Sequence, residues 1–230
     1  MRFRKYLLGI TLLAAVCAVV FIFYGRAVVY IFAKTNNMEI AYTQLKATRM
    51  NEFLFDGLTV RDRKSGMGIF AESARVDFSL KSADPRRIAT AFDLKTVNFL
   101  TGQQEKAPSY NNIDGLVAAP FNSALHYQSI SGKIYRESDC VRIEDVMARS
   151  DQLKMRVSGT LKDTSRISSD ITIYFADSLT GTIPSEYLLM VLKSDEPGWK
   201  SLTVRLEGDF AKPSIQVSGK LFRLNIGVKD

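Results

Sequence analysis

Apolar and polar residues alternate one by one along most of this chain after residue 34. The clearest example lies within Ala71–Lys81, where the apolar Ala74, Val76, Phe78 and Leu80 alternate with Arg75, Asp77, Ser79 and Lys81. Successive side chains of an extended strand point to opposite faces, so a period of two predicts a strand with one dry and one wet face. The pattern therefore favours a sheet that is buried on one side.

The same alternation returns in the second half of the chain, around Val157, Ile173 and Val204. From His126 onward, almost every stretch has the pattern of a strand. We predict that the apolar positions of these strands share one dry face, on which a lipid could bind. The candidate face consists of Ala74, Val76, Phe78, Leu80, Leu153, Met155, Val157, Ile171, Ile173, Phe175, Leu202, Val204 and Leu206.

Helical signals are few and short. Asp84–Ile88 has the features of a helix start, with Asp84 as N-cap and Pro85 at the first helical position. Ile183–Lys193 has Pro184 near its start and a lysine at its end, which predicts a short apolar helix. The stretch around Leu116–Ala119 is either a short helix or a loop, and the polar residues 101–112 are the expected flexible loop.

These elements predict a mainly β protein with roughly ten to twelve strands and two short helices. An apolar-x-Gly-x-apolar pattern recurs irregularly at Ile130–Ile134, Val157–Leu161, Leu206–Phe210 and Val217–Leu221, where glycine leaves a gap or permits a bend. The dry face must be closed into a barrel, folded into a sandwich or curled into a trough. We expect one elongated, curved antiparallel sheet, as a trough or an open sandwich.

An uncharged run without proline, Tyr6–Tyr24, precedes the β pattern and follows three cations, Arg2, Arg4 and Lys5. At about 1.5 Å per residue, a helix of this length crosses most of a hydrocarbon core about 30 Å thick. A cleaved signal peptide is the alternative, but its apolar region is shorter and the best cleavage site here has Ile31 at the −3 position. We predict a cytoplasmic tip and single transmembrane anchor over residues 1–34, and one exported domain over residues 35–230.

The formal charge of +7 is mildly basic, and three of its positive charges lie in the N-terminal tip. The other basic residues are scattered, which is typical of a solvated surface and not of a nucleic-acid footprint. The two cysteines are Cys17, inside the predicted anchor, and Cys140, in the exported domain, so an intrachain disulfide is not expected.

The sequence carries no motif of a nucleophile elbow, phosphate-binding loop, zinc helix or paired-cysteine zinc site. The single histidine, His126, is expected at a strand end on the surface. Cys140 is expected to be a small buried residue and not a nucleophile. We therefore predict no catalytic residue, no metal site and no cofactor, and interpret the chain as a protein that is not an enzyme.

Three stretches resemble the AsmA-like family of membrane-anchored envelope proteins. Met50–Lys81 is similar to the early strand pair of such domains, and Tyr127–Lys162 to their run of two strands followed by a strand with a glycine. Ser201–Ser218 resembles the closing strand of the family, here with Gly208 and Pro213. The chain departs from the family in being short.

The resemblance implies a single-pass protein of the inner membrane with the bulk of its chain in the periplasm. It also implies a role in envelope biogenesis, in which an apolar groove shelters membrane lipid, most simply phospholipid, or assists outer-membrane assembly. The alternative is a structural adaptor of a secretion or envelope complex, in which the apolar face is ordinary core and an edge strand binds protein partners. Neither reading involves nucleic acid.

Overall fold

The computed structural model describes residues 24–80, 87–100, 110, 112–137, 139–163, 165–181, 183–209, 212–221 and 223–226. Most of the predicted anchor, the predicted helix start at Asp84–Pro85 and most of the predicted loop at 101–112 lie outside these residues. Within the described ranges, every helix is too short or too polar to span a bilayer.

The first described helix, α1, covers residues 24–35. Three short helices follow it, α2 (Ile113–Ala118), α3 (Asp177–Thr180) and α4 (Ser185–Met190), and a 3₁₀ turn at Ala119–Phe121 extends α2. The strands are β1 (Met38–Ala41), β2 (Gln44–Arg49), β3 (Glu52–Asp62), β4 (Gly68–Leu80), β5 (Arg87–Leu100), β6 (His126–Glu137), β7 (Cys140–Arg149), β8 (Leu153–Lys162), β9 (Arg166–Ala176), β10 (Lys193–Glu196), β11 (Trp199–Asp209), β12 (Lys212–Ser218) and β13 (Arg223–Ile226).

All thirteen strands of the described residues belong to one open antiparallel sheet. From β3 to β9, each strand pairs with the next one in the chain, so the sheet is built hairpin after hairpin. β1 and β2 lie in line and both pair with β3, while β10 and β12 pair with different parts of β11. The predicted mainly β class and single antiparallel sheet are confirmed.

The helical predictions are confirmed only in part. A helix is present at Ile113–Ala118, and α4 lies inside the predicted Ile183–Lys193. The predicted end of that helix is wrong, because Lys193 begins β10 and pairs with Ser201. The prediction that a helix continues through Arg87 and Ile88 is also wrong. These residues begin β5, which pairs with β4 and β6. The backbone hydrogen bonds of this pairing stabilise the strand more than the N-cap signal in the sequence stabilises a helix.

Apolar side chains collect in two clusters that meet at Leu125 and Ile171. The first cluster, centred on Phe53 and Leu94, is formed by strands β3–β8 and is covered by α1 through Val28 and Val29. The second is formed by β8–β12. It is covered by residues of α2, α3, the 3₁₀ turn and the segments flanking α4, namely Leu116, Ala119, Leu179, Ile183, Val191 and Leu192.

In four neighbouring strands, the alternation of buried and exposed side chains is interrupted at the same level of the sheet by two successive residues that are not buried. In β3, the buried Phe55 and Leu58 flank two residues that are not buried, and Gly57 has a φ of +62°. Gly57 is thus a left-handed residue inside a continuous strand, which glycine adopts without steric cost. Register aligns the four unburied pairs, which are Asp56–Gly57, Glu72–Ser73, Lys95–Thr96 and Gln128–Ser129.

Gly132, in the first copy of the glycine pattern, faces an irregularity in β7. The pairing of β7 shifts between Glu144 and Met147 on the β6 side and between Ile143 and Val146 on the β8 side, and Asp145 has a φ of +48°. A Cβ atom on Gly132 would lie 2.8 Å from the Cα atom of Val146. Glycine therefore allows the bulged strand to approach β6, which is the local irregularity predicted for these positions.

Candidate functional site

The dry face of the sheet is the candidate site, and the register of the strands shows how its side chains line up. Phe78 pairs with Thr90, Thr90 with Ile134, and Ile134 with Ile143. This row continues from β8 to β12 through the pairs of Gly159 with Ser169, of Ser169 with Leu206 and of Leu206 with Ile215. Residues from eight strands thus form one transverse row, to which Gly159 of β8 contributes no side chain.

The apolar members of this row are half-buried, as are Val76, Phe92, Val157 and Ile171 one step further into the sheet. Val204 and Val217, at that second level on β11 and β12, are buried. We call this set the open margin. It consists of Val76, Phe78, Phe92, Ile134, Ile143, Val157, Ile171, Leu206 and Ile215. Its residues lie on the same face as the two core clusters but are only partly covered by other elements.

The central part of the dry face is sealed. Phe175 and Leu202 are 0 % exposed, and the ring of Tyr110 meets Phe175 edge-on with centroids 6.5 Å apart. The buried Tyr127 hydroxyl donates a hydrogen bond of 2.7 Å to the Pro120 carbonyl oxygen, which ties the 3₁₀ turn to β6. A ligand reaches this part of the face only if the covering segments move.

The thirteen candidate residues are therefore divided by the structure. Seven belong to the sealed core: Ala74, Leu153, Met155, Ile173, Phe175, Leu202 and Val204. Five belong to the open margin: Val76, Phe78, Val157, Ile171 and Leu206. Leu80 lies at the end of β4, and its side chain lies outside the described part of the structure.

The opposite face carries ion pairs between neighbouring strands. Arg205 of β11 donates to Asp170 of β9 at 2.8 Å, and Arg75 of β4 lies 2.7 Å from Glu52 of β3. Lys154 lies over the Trp199 ring, 3.9 Å from its centroid, and 3.3 Å from a carboxylate oxygen of Glu196. This wet face offers charges and hydrogen bonds, so an apolar ligand has only the dry face to bind.

Burial has an electrostatic consequence on the dry face. It raises the pKa of Tyr127, as the neighbouring Tyr110 does to a smaller extent. Burial also raises the pKa of Tyr110. Both hydroxyls stay protonated near neutral pH, so they can donate hydrogen bonds but add no charge to the apolar site.

The residues considered for chemistry lie apart from one another. The Nδ1 atom of His126 lies 2.5 Å from the Asn98 side-chain oxygen at the exposed end of β6. Cys140 is a free, half-buried cysteine at the start of β7, and so less buried than predicted. Among the described residues, no group of three or more histidine, cysteine, aspartate or glutamate side chains could hold a metal ion.

Sequence reasoning missed the contribution of α1 and of Tyr127 to this site. Gly25 is buried against Leu45 and Phe53, and Val28 and Val29 pack beside it. The i, i+3, i+4 spacing of these three α1 residues is the signal of a helix that packs on one side. It is hidden in the sequence because most of the neighbouring residues are also apolar.

No protein-family model matches this chain, and comparisons with curated proteins and with solved structures found no match.

Proposed function

We propose that this chain is a non-enzymatic envelope protein, AsmA-like and anchored in the inner membrane, that shelters lipid on the dry face of its periplasmic sheet. The open margin supports this proposal best. It is a set of half-buried apolar side chains from two adjacent transverse levels that crosses the sheet from β4 to β12. Such a set matches an acyl chain, because both are long, narrow and apolar.

The dimensions of the sheet limit the role. Strands lie about 4.8 Å apart, so the roughly ten strands along the sheet give a dry face of roughly 50 Å. This length accommodates an acyl chain but does not bridge two separate membranes. The protein would act as part of a conduit, with a partner, or as a scaffold that shields lipid locally.

The sealed part of the dry face suggests where lipid would lie. Phe175 and Leu202 are already buried by other segments of the protein. Val76 and Val157 are only half-buried and belong to the open margin. Lipid bound at the open margin would bury additional apolar area at about 25 cal/mol per Å² without requiring the covering segments to leave.

Mass spectrometry of organic extracts tests this proposal. The full chain would be expressed with export and purified gently, because α1 is part of the core and a domain starting near residue 36 would lack it. We expect bound phospholipid in the unmodified protein and its loss in Val76→Asp and Val157→Asp. Ser79→Asp is the matched control for Val76→Asp, since Ser79 lies on the same strand but faces away from the dry face.

Two results would contradict the proposal. One is a well-folded full chain that carries no lipid, and the other is lipid that is retained equally in the folded Val76→Asp and Val157→Asp variants. Circular dichroism and thermal unfolding of each variant separate loss of binding from loss of fold.

The alternative function is an adaptor that binds protein partners through a sheet edge. β13 is the last strand of the described sheet, and Leu221 just before it and Leu224 within it are 69 % and 43 % exposed. An edge strand with neighbouring apolar side chains suits the addition of a partner strand. Cross-linking of the exported chain would then give stable, stoichiometric protein adducts near β13 and no lipid.

A further inference from the structure

Helix α1 has two different apolar sides. One side belongs to the domain core, where Gly25 is buried and Val28 and Val29 pack on the sheet. The other side exposes large residues: Tyr30 is 66 % and Ile31 60 % exposed. An exposed apolar stripe of this kind on a helix that already packs on a core marks a second contact surface.

The chemistry around the exposed side fits a phospholipid surface. Arg26 and Lys34 are exposed and lie about 12 Å apart along the helix, at about 1.5 Å per residue. Tyrosines and long cationic side chains are typical of the layer between hydrocarbon and headgroups. The uncharged run from Tyr6 leads directly into α1, so the predicted anchor would deliver this helix to the bilayer.

The connection between α1 and the sheet is tight. α1 ends at residue 35 and β1 begins at Met38. The amide groups of Asn36 donate to the Phe32 carbonyl oxygen, Asn37 adopts a φ of +54°, and the Asn37 carbonyl oxygen accepts from the Arg63 amide. A helix end capped in this way and joined by two residues leaves little freedom between helix and sheet.

The first residues of α1 lie at the same end of the sheet as the open margin. Tyr24, at the start of the described helix, stacks on Phe53 with ring centroids 6.4 Å apart, and Phe53 meets Phe78 edge-on at 5.8 Å. The opposite end of α1 lies beside Arg63, just beyond β3. The chain therefore enters α1 at the end of β3 and β4 where the open margin lies.

We propose that the outward side of α1 lies in the headgroup layer of the bilayer and that α1 rigidly directs the first strands of the open margin toward that membrane. This inference rests on the proposed membrane anchor. Adjacent strands rotate by about 20–25° relative to one another, so only the margin near β4, β5 and β6 would face the membrane. Lipid would then meet Phe78 first, next to the aromatic contacts that begin at Tyr24.

Fluorescence quenching in vesicles tests the orientation. The full chain, with Cys17→Ala and Cys140→Ala, would receive one new cysteine and an environment-sensitive fluorophore. Ile31→Cys probes the outward side of α1. Ser79→Cys and Met67→Cys form a matched pair of exposed sites near the two ends of β4, about 40 Å apart at about 3.3 Å per residue.

The vesicles would contain phosphatidylcholine and phosphatidylglycerol, with a nitroxide at a shallow acyl position as quencher. We expect strong quenching at Ile31→Cys, and several-fold stronger quenching at Ser79→Cys than at Met67→Cys. Equal quenching at the last two sites, stronger quenching at Met67→Cys, or cross-linking of Ile31→Cys to a second copy would overturn the inference.

Flotation of the same vesicles separates this inference from the proposed function. A chain that floats with the vesicles but remains unquenched at Ile31→Cys overturns the orientation and leaves the anchor intact. A chain that does not float overturns both the anchor and the orientation. Lipid extraction measures binding on the dry face independently of either result.

Discussion

The Tyr127 hydroxyl and the Pro120 carbonyl oxygen form a buried hydrogen bond of 2.7 Å between β6 and the 3₁₀ turn. Tyr127 is 0 % exposed, and its ring also meets Phe99 edge-on at 5.7 Å. This contact holds the segment that follows α2 against the sheet. The part of the dry face next to that segment is consequently sealed in the isolated chain.

Replacement of Tyr127 by phenylalanine tests this contact. Tyr127→Phe removes the donor and leaves the buried Pro120 carbonyl oxygen without it, so we expect a loss of about 1–3 kcal/mol in the free energy of unfolding. Urea denaturation at neutral pH measures the loss. Tyr30→Phe is the control for removal of a hydroxyl from an exposed side chain. Equal effects of the two changes would show that the hydrogen bond contributes nothing.

The same variant changes the dependence of stability on pH. Burial raises the pKa of Tyr127 above its ordinary value of about 10, so the unfolded chain releases this proton at a lower pH than the folded chain. The free energy of unfolding is then unaffected at lower pH and falls as pH rises above about 10. We expect a shallower fall in Tyr127→Phe. Some slope remains, because burial also raises the pKa of Tyr110 and Tyr174.

The division between sealed core and open margin can be measured on one strand. Leu202 and Leu206 both lie on β11 and on the dry face, but Leu202 is 0 % exposed whereas Leu206 is half-buried. We expect Leu202→Ala to cost about 2–5 kcal/mol, as for a fully packed leucine, and Leu206→Ala markedly less. Equal costs in urea denaturation of lipid-free protein would mean that the margin is as closed as the core.

Gly132 gives a test of the bulge in β7. A Cβ atom there would lie 2.6 Å from the Val146 Cγ2 atom and 2.8 Å from its Cα atom. We expect Gly132→Ala to destabilise the protein by about 1–3 kcal/mol through overpacking. Gly181→Ala is the control, because nothing lies within 4 Å of that position and its φ of −62° suits alanine. A neutral Gly132→Ala would show that β7 moves away without cost.

Several features of the fold follow from local patterns. Alternation correctly identified the strands around Ala74, Met155, Ile173 and Val204 and placed these residues on one face, because side chains in a strand repeat every two residues. Local capping signals were less reliable. The helix predicted through Ile88 failed, because backbone pairing with two neighbouring strands outweighs a favourable N-cap and proline.

The sequence by itself determined the mainly β class, the two unlike faces of the strands and their assembly into an antiparallel sheet. Each of these depends on neighbours within a few residues. Only the tertiary structure decided which half of the dry face is covered. Phe175 is sealed by Tyr110 and Phe53 is covered beside Gly25, through contacts between residues distant in the chain. Local pattern carries no information on such contacts, since they depend on where packed segments meet in space.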